Sequence, residues 1–218
     1  MKLKTAKEKI KKITNVKFKK IFSESDLKKI NKNKGIIGQL LEQKIGLKLS
    51  NTNRDFENGE LKTYKSDKNR YQEETICITQ ISSIIDELIK NKKFKKTKLY
   101  EKIKNVLFVP ILKEENPKEW VLLKYIHIKL SKSKYKSIYK ILKEDYNYIC
   151  KKLNEMINKD EKIHSISGQY LEIRTKDTKN KSGNYHPISS NKYNKIVSDK
   201  NYAFYFTKNF IKDIINNY

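Results

Sequence analysis

Arginine is scarce in a chain otherwise crowded with basic residues: among 50 lysines and arginines only Arg54, Arg70 and Arg174 are arginine. Cysteine is scarcer still. The two present, Cys77 and Cys150, lie far apart among apolar neighbours, and no CxxC pair exists. That excludes a zinc-ribbon or disulfide framework and predicts two buried free thiols in a reducing compartment. The three histidines, His127, His164 and His186, are isolated from one another, so neither a histidine-based nuclease motif nor a metal-ligand spacing can be assembled from them. His127 lies in an apolar run and reads as structural. No GxxxxGK[ST] loop is present, which argues against nucleotide hydrolysis. No apolar run approaches a membrane span, and the basic N-terminal segment lacks the apolar stretch of a secretory signal. The expectation is a soluble cytoplasmic protein with no membrane partner.

What the sequence does have is positive charge and enough apolar residues for a core. The formal net charge is +25 with a pI near 9.8, and hydrophobic residues make up 37% of 218 residues. Such a balance favours a polyanionic partner, nucleic acid first. The abundance of lysine, asparagine, isoleucine and tyrosine is equally what an AT-rich genome produces. Hydrophobic periodicity predicts an amphipathic helix over residues 3–22, a short capped helix from Ser23 to about Ile30, and a helix over 36–45 stopped by Gly46. Residues 47–53 read as a polar loop. Strands are expected at 74–79, 106–112, 119–128, 169–175 and 202–207. Helical stretches are expected at 82–104 (broken at 91–98), 134–158 and 209–215. Strands and helices mix throughout, giving an α/β or α+β layered domain.

The most informative segment is Arg54-Asp55-Phe56-Glu57-Asn58-Gly59-Glu60-Leu61-Lys62. Asn-Gly between two short strands is a strong hairpin signal. With Asn58 and Gly59 as the loop, Glu57 faces Glu60, Phe56 faces Leu61, and Asp55 faces Lys62. Alternation then places Asp55, Glu57, Glu60 and Lys62 on one face, with Phe56 and Leu61 on the other. Opposed carboxylates repel, and a divalent cation removes that cost, since magnesium accepts hard oxygen ligands from two acids and leaves other positions to water and phosphate. A neighbouring lysine can position or deprotonate a water and stabilise developing negative charge. An acid–x–lysine on one strand with an acid on its neighbour is a phosphodiester-cleaving arrangement; a charged, exposed hairpin is the alternative.

The surroundings of the hairpin carry a resemblance. KGIIGQLLEQKIG (34–46), RDFENGELKT (54–63) and EETICIT (73–79) resemble, in order, blocks of the MutH family, which groups the mismatch-repair nicking endonuclease MutH with GATC-cutting restriction enzymes of the Sau type. YEKIKNVLFVPIL (100–112), GQYLEIRTK (168–176) and FYFTKNF (204–210) extend it towards the C-terminus. The resemblance implies a PD-(D/E)XK nuclease fold, a mixed sheet flanked by helices, with two lobes around a DNA cleft. It divides the chain into a basic helical part (1–33), a catalytic lobe (34–128) and a DNA-recognition lobe (129–218). It implies that Asp55 and Glu60 hold Mg2+, that Lys62 serves the attacking water, and that Glu42 and Lys102 belong to the active site, with Lys104 a rival to Lys102. It further implies that Lys34, Arg174, Lys176 and Tyr205 contact double-stranded DNA. The family's link between aspartate and glutamate is longer than the four residues here, which leaves open whether Asp55 or Glu57 is the metal ligand.

The polar stretch 176–200 reads as a long loop that contacts phosphates and base edges, His186 among its residues. The expected activity is that of a sequence-specific, magnesium-dependent DNA endonuclease. A restriction enzyme at a GATC-like site, paired with a cognate methyltransferase, comes first. A methyl-directed nicking enzyme working with mismatch-repair proteins comes second, and a non-catalytic DNA-binding protein third.

Overall fold

The computed structural model describes residues 1–47 and 55–218. The polar loop read over 47–53, past Leu47, and Arg54 of the hairpin lie outside the described residues. The chain is mixed α/β and forms two compact units: residues 1–74, 102–131 and 211–218 make the first, and residues 75–101 and 132–210 the second. The sequence division at 33/34 and 128/129 differs from this grouping. The N-terminal helices share a core with the hairpin and so join the first unit, as does most of the last helix.

In the first unit, α1 (Leu3–Ile13) buries Leu3, Ala6 and Ile10 at helical spacing and turns its lysines outward. The single helix expected over 3–22 is broken. Asn15 adopts a left-handed φ of 60°, and the chain around it bonds sideways, Asn15 N–H donating to Leu122 O at 2.7 Å and Phe18 N–H to Trp120 O at 2.8 Å. A short α2 (Phe18–Ile21) follows. A capping box between Ser23 and Asp26 starts α3 (Glu24–Lys32). A single 3-10 turn, Lys34–Ile36, leads into α4 (Ile37–Lys44). Gly46, at φ 84°, stops that helix as expected.

The sheet of this unit is built on β3 (Asn105–Leu112), whose Val106–Ile111 run is buried throughout. β1 (Glu60–Ser66) pairs with it in parallel, Glu60 against Val106 and Lys62 against Phe108. On the other side β3 takes two short antiparallel strands, β4 (Val121–Leu122) and β5 (Ile126–Lys129). One strand was expected over 119–128. Its interruption falls opposite Pro110, which has no N–H to give the ladder; Leu123 N–H donates to the Pro110 carbonyl at 2.9 Å and the chain leaves the sheet until Ile126. Phe56 and Leu61 enter the same core as the buried faces of α1–α4, Leu107, Val109 and Trp120.

The second unit has an antiparallel sheet in the order β2 (Ile76–Gln80), β10 (Tyr202–Phe206), β7 (Leu171–Thr175), β6 (Ile166–Ser167). Its longest helix, α7 (Lys136–Asn158), packs on β7 and buries Ile138, Leu142, Tyr146, Ile149 and Leu153 at three- and four-residue spacing. Helix α5 (Ile85–Ile89) lies beside α7, and α6 (Lys98–Ile103) and α8 (Asn209–Asn217) each span a boundary between the units' segments. The region read as a loop over 176–200 contains a further hairpin, β8 (Ile188–Ser190) with β9 (Lys195–Ser198). Its strands are short and polar, and its turn uses Asn194 at φ 49°. No helix among the described residues is long and apolar enough to cross a membrane.

Candidate active site

The hairpin forms one step out of the expected register. Phe56 bridges Gly59, with Phe56 N–H donating to Gly59 O at 3.0 Å. Glu57 and Asn58 are therefore the turn, and neither Asn58 nor Gly59 has the positive φ that an Asn-Gly loop demands. Gly59 serves a close approach instead: a Cβ there would stand 2.7 Å from the Asn105 carbonyl and from a Leu3 methyl. The shift moves both strands together, so the parity of the faces survives. Asp55 now opposes Glu60 rather than Lys62, and Glu60 and Lys62, two apart on β1, still share its face. Phe56 and Leu61 are both buried. Glu57 is lost from the cluster: it stands 59% exposed at the tip and pairs with the Met1 amino group at 3.3 Å. Of the two acids, Asp55 stays beside Glu60 and Glu57 does not.

Glu60 is 1% exposed. A buried carboxylate needs partners, and two lysines supply them: Lys102 Nζ donates to Oε1 at 3.0 Å, and Lys62 Nζ lies 3.7 Å from Oε2. Of the two lysines weighed for this role, Lys102 is the one that pairs with Glu60; the backbone carbonyl of Lys104 takes the Leu130 N–H at 2.9 Å. Asp55 Oδ2 accepts the Leu61 N–H at 2.8 Å, which locks it across the turn. Burial pushes the Glu60 carboxyl above its usual range, and the Asp55 charge adds to this, while Lys62 and Lys102 oppose it. Glu42, half-buried on α4, is raised to about 7, by burial first and then by the charge of Asp55. Five side chains named from the sequence, Glu42, Asp55, Glu60, Lys62 and Lys102, therefore act on one another in one place. Among the described residues no group of three or more histidines, cysteines, aspartates and glutamates is arranged to hold a metal ion by itself.

The raised Glu42 carboxyl has a measurable consequence. An acid whose folded-state pKa lies above its ordinary value stabilises the fold fully below the ordinary value of 4.5 and loses that contribution as pH rises through about 7. Glu42→Gln should therefore raise stability at pH 8 by about 1–2 kcal/mol, after allowing for solvent screening, and give no gain at pH 4.5. Thermal unfolding in EDTA at the two pH values measures the difference. A pH-independent difference would mean that the charge is not held in an unfavourable place.

The second unit collects the other named residues on one face of its sheet. Tyr205 pairs with Cys77 on one side and Glu172 on the other, and Ala203 pairs with Arg174. Arg174 is 53% exposed; its Nη1 donates to Thr75 Oγ1 at 3.2 Å and stands 3.6 Å from Glu172 Oε1. The Arg174 guanidinium and Lys176 Nζ each lie 5.9 Å from the centre of the Tyr205 ring. Cys77, expected to be buried, is half-exposed on this face, 3.1 Å from Lys176 Nζ. Thr75, Cys77 and Glu172 had no functional signal in the sequence; only the strand register brings them to Arg174 and Lys176. Lys34 lies on the 3-10 turn before α4, and its side chain is outside the described residues.

Among the histidines, His127 has the structural place expected of it. Its Nε2 meets Asn105 Oδ1 at 2.8 Å and its Nδ1 meets Lys7 Nζ at 2.6 Å. Asn105 in turn donates through Nδ2 to the Asn58 carbonyl, which steadies the turn. His186 is held by Asp177, Nδ1 to Oδ1 at 2.7 Å. No protein-family model and no curated protein sequence matches the chain.

Proposed function

We propose that the chain is a divalent-cation-dependent DNA endonuclease of the PD-(D/E)XK kind, hydrolysing phosphodiester bonds in duplex DNA at a short, GATC-like site as a restriction enzyme does. The observation that carries this reading is the placement of Glu60 and Lys62 on one face of β1, with Asp55 across the turn and Glu42 and Lys102 coupled to both. A mixed sheet in the first unit, with α4 against β1, supports the reading.

The donor set fits a magnesium ion. Asp55 and Glu60 offer two hard oxygen donors, and the mutual repulsion of three carboxylates is the cost a cation relieves. Bound there, the ion would supply positive charge to the scissile phosphate and to the water beside it. The chain's own groups do the rest. Lys102 keeps Glu60 ionised and oriented. Lys62, held less closely to Glu60, is placed to orient the attacking water and to meet the negative charge that grows on the phosphate oxygens as the new P–O bond forms and the bond to the leaving oxygen breaks. The Arg174–Lys176–Tyr205 face supports DNA reading. Lysine supplies point charges for phosphates, whereas arginine can address guanine through two bonds, and Arg174 is one of only three arginines.

The test is purified protein with magnesium and supercoiled plasmid, methylated and unmethylated at GATC. The expected result is linear fragments with fixed ends that require magnesium. Nicked circles stimulated by mismatch-repair proteins would replace restriction by repair. Retention of DNA without cleavage in any metal would overturn the enzymatic reading.

A further inference from the structure

The second unit carries an open groove of about 1000 Å³, lined by none of Arg174, Lys176 and Tyr205. One wall is a stripe along α7: Tyr139, Lys143, Asn147, Lys151, Asn154 and Asn158. Their spacing of three or four residues puts them on one helix face. At 1.5 Å per residue the stripe runs about 28 Å. The opposite wall is the turn after α5, with Lys90, Lys92, Lys93 and Lys95, and Lys192 reaches in from the β8–β9 turn. Seven lysines thus line the groove against a single lining acid, Glu155, which pairs with Lys152 at 2.9 Å and Lys151 at 4.0 Å; Lys92 pairs with Glu87 at 2.9 Å, which leaves an excess of positive charge in the groove.

These walls are held in place. Asn91 takes a left-handed φ of 48° at the end of α5. Phe94 is buried between Tyr100, Tyr139 and Tyr146, with ring centres 5.3–5.9 Å away. The Tyr146 hydroxyl donates to the Lys92 carbonyl at 2.9 Å. Asp86 accepts from Ser190 Oγ at 2.7 Å and from the Asn191 and Lys192 amides at 3.1 and 3.3 Å, which ties the Lys192 segment to α5. Lys93 and Lys143 are exposed and have no acidic partner among the described residues. A rigid channel of like charges is unfavourable unless an anion fills it.

We propose that this groove binds the sugar–phosphate backbone of duplex DNA, as a sequence-independent contact separate from the acidic hairpin. The proposal rests on the endonuclease reading for the identity of its ligand. The chemistry is that of a backbone holder: lysines and asparagine amides for phosphate oxygens, and no arginine to read base edges. At 3.4 Å of axis per base pair, a duplex lying along the stripe presents about eight base pairs to it. An isolated small anion would need a closed pocket instead.

The experiment measures duplex DNA binding in magnesium-free buffer across a salt series, by fluorescence anisotropy. The variants are wild type, the groove triple Lys93→Gln/Lys143→Gln/Lys151→Gln, and a control triple Lys11→Gln/Lys20→Gln/Lys28→Gln with the same charge change. All six lysines are exposed, so thermal midpoints should match the wild type. The groove triple should lose roughly 10²-fold in affinity at 0.1 M salt and flatten the slope of log K against log salt by about three. The control should change little. Equal losses in both triples, an unchanged groove triple, or tighter binding of duplex RNA than of DNA would each overturn the proposal. A wild-type chain that holds no duplex at all would bring down the endonuclease reading itself; a wild type that binds beside an unaffected groove triple removes only the groove.

Discussion

Lys62→Ala should lower the rate of DNA cleavage by about 10³-fold, or roughly 4 kcal/mol in the barrier, with duplex binding in EDTA nearly unchanged. Lys102→Ala should behave differently, and the distances say why. Lys102 makes a direct bond of 3.0 Å to Glu60 Oε1, whereas Lys62 stands 3.7 Å from Oε2. Lys102 is therefore committed to a carboxylate that is 1% exposed, and removing it leaves that charge with one distant partner. Its loss should cost both stability and rate. Lys62 has less to do in the resting fold, so its loss should fall mainly on the chemistry. Either removal takes away an influence that holds the Glu60 carboxyl down, so the acid limb of the activity profile should move to higher pH, and that side is where the variants should part most from the wild type. Asp55→Asn should be inactive in magnesium at every pH, because it removes one of only two acids offered to the cation. Plasmid cleavage rates for the three variants, with thermal midpoints measured alongside, decide the matter. Undiminished cleavage by both Lys62→Ala and Asp55→Asn would place the active site elsewhere.

What the sequence made legible at this site, and what it did not, follows from the range of the forces involved. Glu60 and Lys62 share a face because alternation along a strand is a local property, and β1 obeys it. A hairpin also formed where Asn58-Gly59 announced one, but its turn fell one residue earlier, on Glu57 and Asn58, and its register shifted with it. That was set by contacts from distant residues: Leu3 N–H donates to Asn58 Oδ1, Asn105 holds the Asn58 carbonyl, and both Leu3 and Asn105 crowd Gly59. No window of local sequence contains those partners. The functional grouping survived only because the shift preserved the parity of the strand faces. Glu42 gave a weak signal for the same reason; it flanks the apolar stripe of α4, and its carboxyl is raised by burial first and then by the charges of Asp55 and Glu60, against the two lysines, none of them local in sequence. Long amphipathic α7 and buried β3 were legible because their patterns extend over many residues. The β8–β9 hairpin was not, since three or four residues of mostly polar strand carry no periodicity to read. The split of 119–128 into β4 and β5 could have been anticipated from Pro110 only if its strand partner had been known.

Asp145→Ala should lower the thermal midpoint by roughly 10 °C. Asp145 sits on the buried face of α7, 7% exposed. Its carboxylate receives three successive backbone amides: Gln169 N–H on Oδ1 at 2.9 Å, and Tyr170 and Leu171 N–H on Oδ2 at 2.6 and 2.9 Å. These amides form the turn between β6 and β7, and Gly168 passes so close that a Cβ there would lie 2.4 Å from Asp145 Oδ1. Bonds to an ionised acceptor contribute more than neutral ones, and truncation leaves the Tyr170 and Leu171 amides buried with no partner, a loss of about 3–5 kcal/mol in total. Asp145→Asn should fall between, since it keeps one accepting oxygen and turns NH2 hydrogens towards only the donors of the other. Gly168→Ala should resemble Asp145→Ala, because it forces the same carboxylate away from the same turn. The effect should reach DNA as well. β7 begins at Leu171 and carries Arg174 three residues on, so loosening the turn frees the register that holds Arg174 beside Tyr205. Asp145→Ala should therefore weaken site-specific binding more than binding to random duplex, even well below its unfolding midpoint. Thermal unfolding followed by far-ultraviolet circular dichroism, with anisotropy on cognate and random duplexes at 15 °C, tests both halves. A midpoint within about 2 °C of the wild type would show that the carboxylate does not hold the turn, and an unchanged preference for the cognate site would show that the turn does not hold Arg174 or that Arg174 does not read the site.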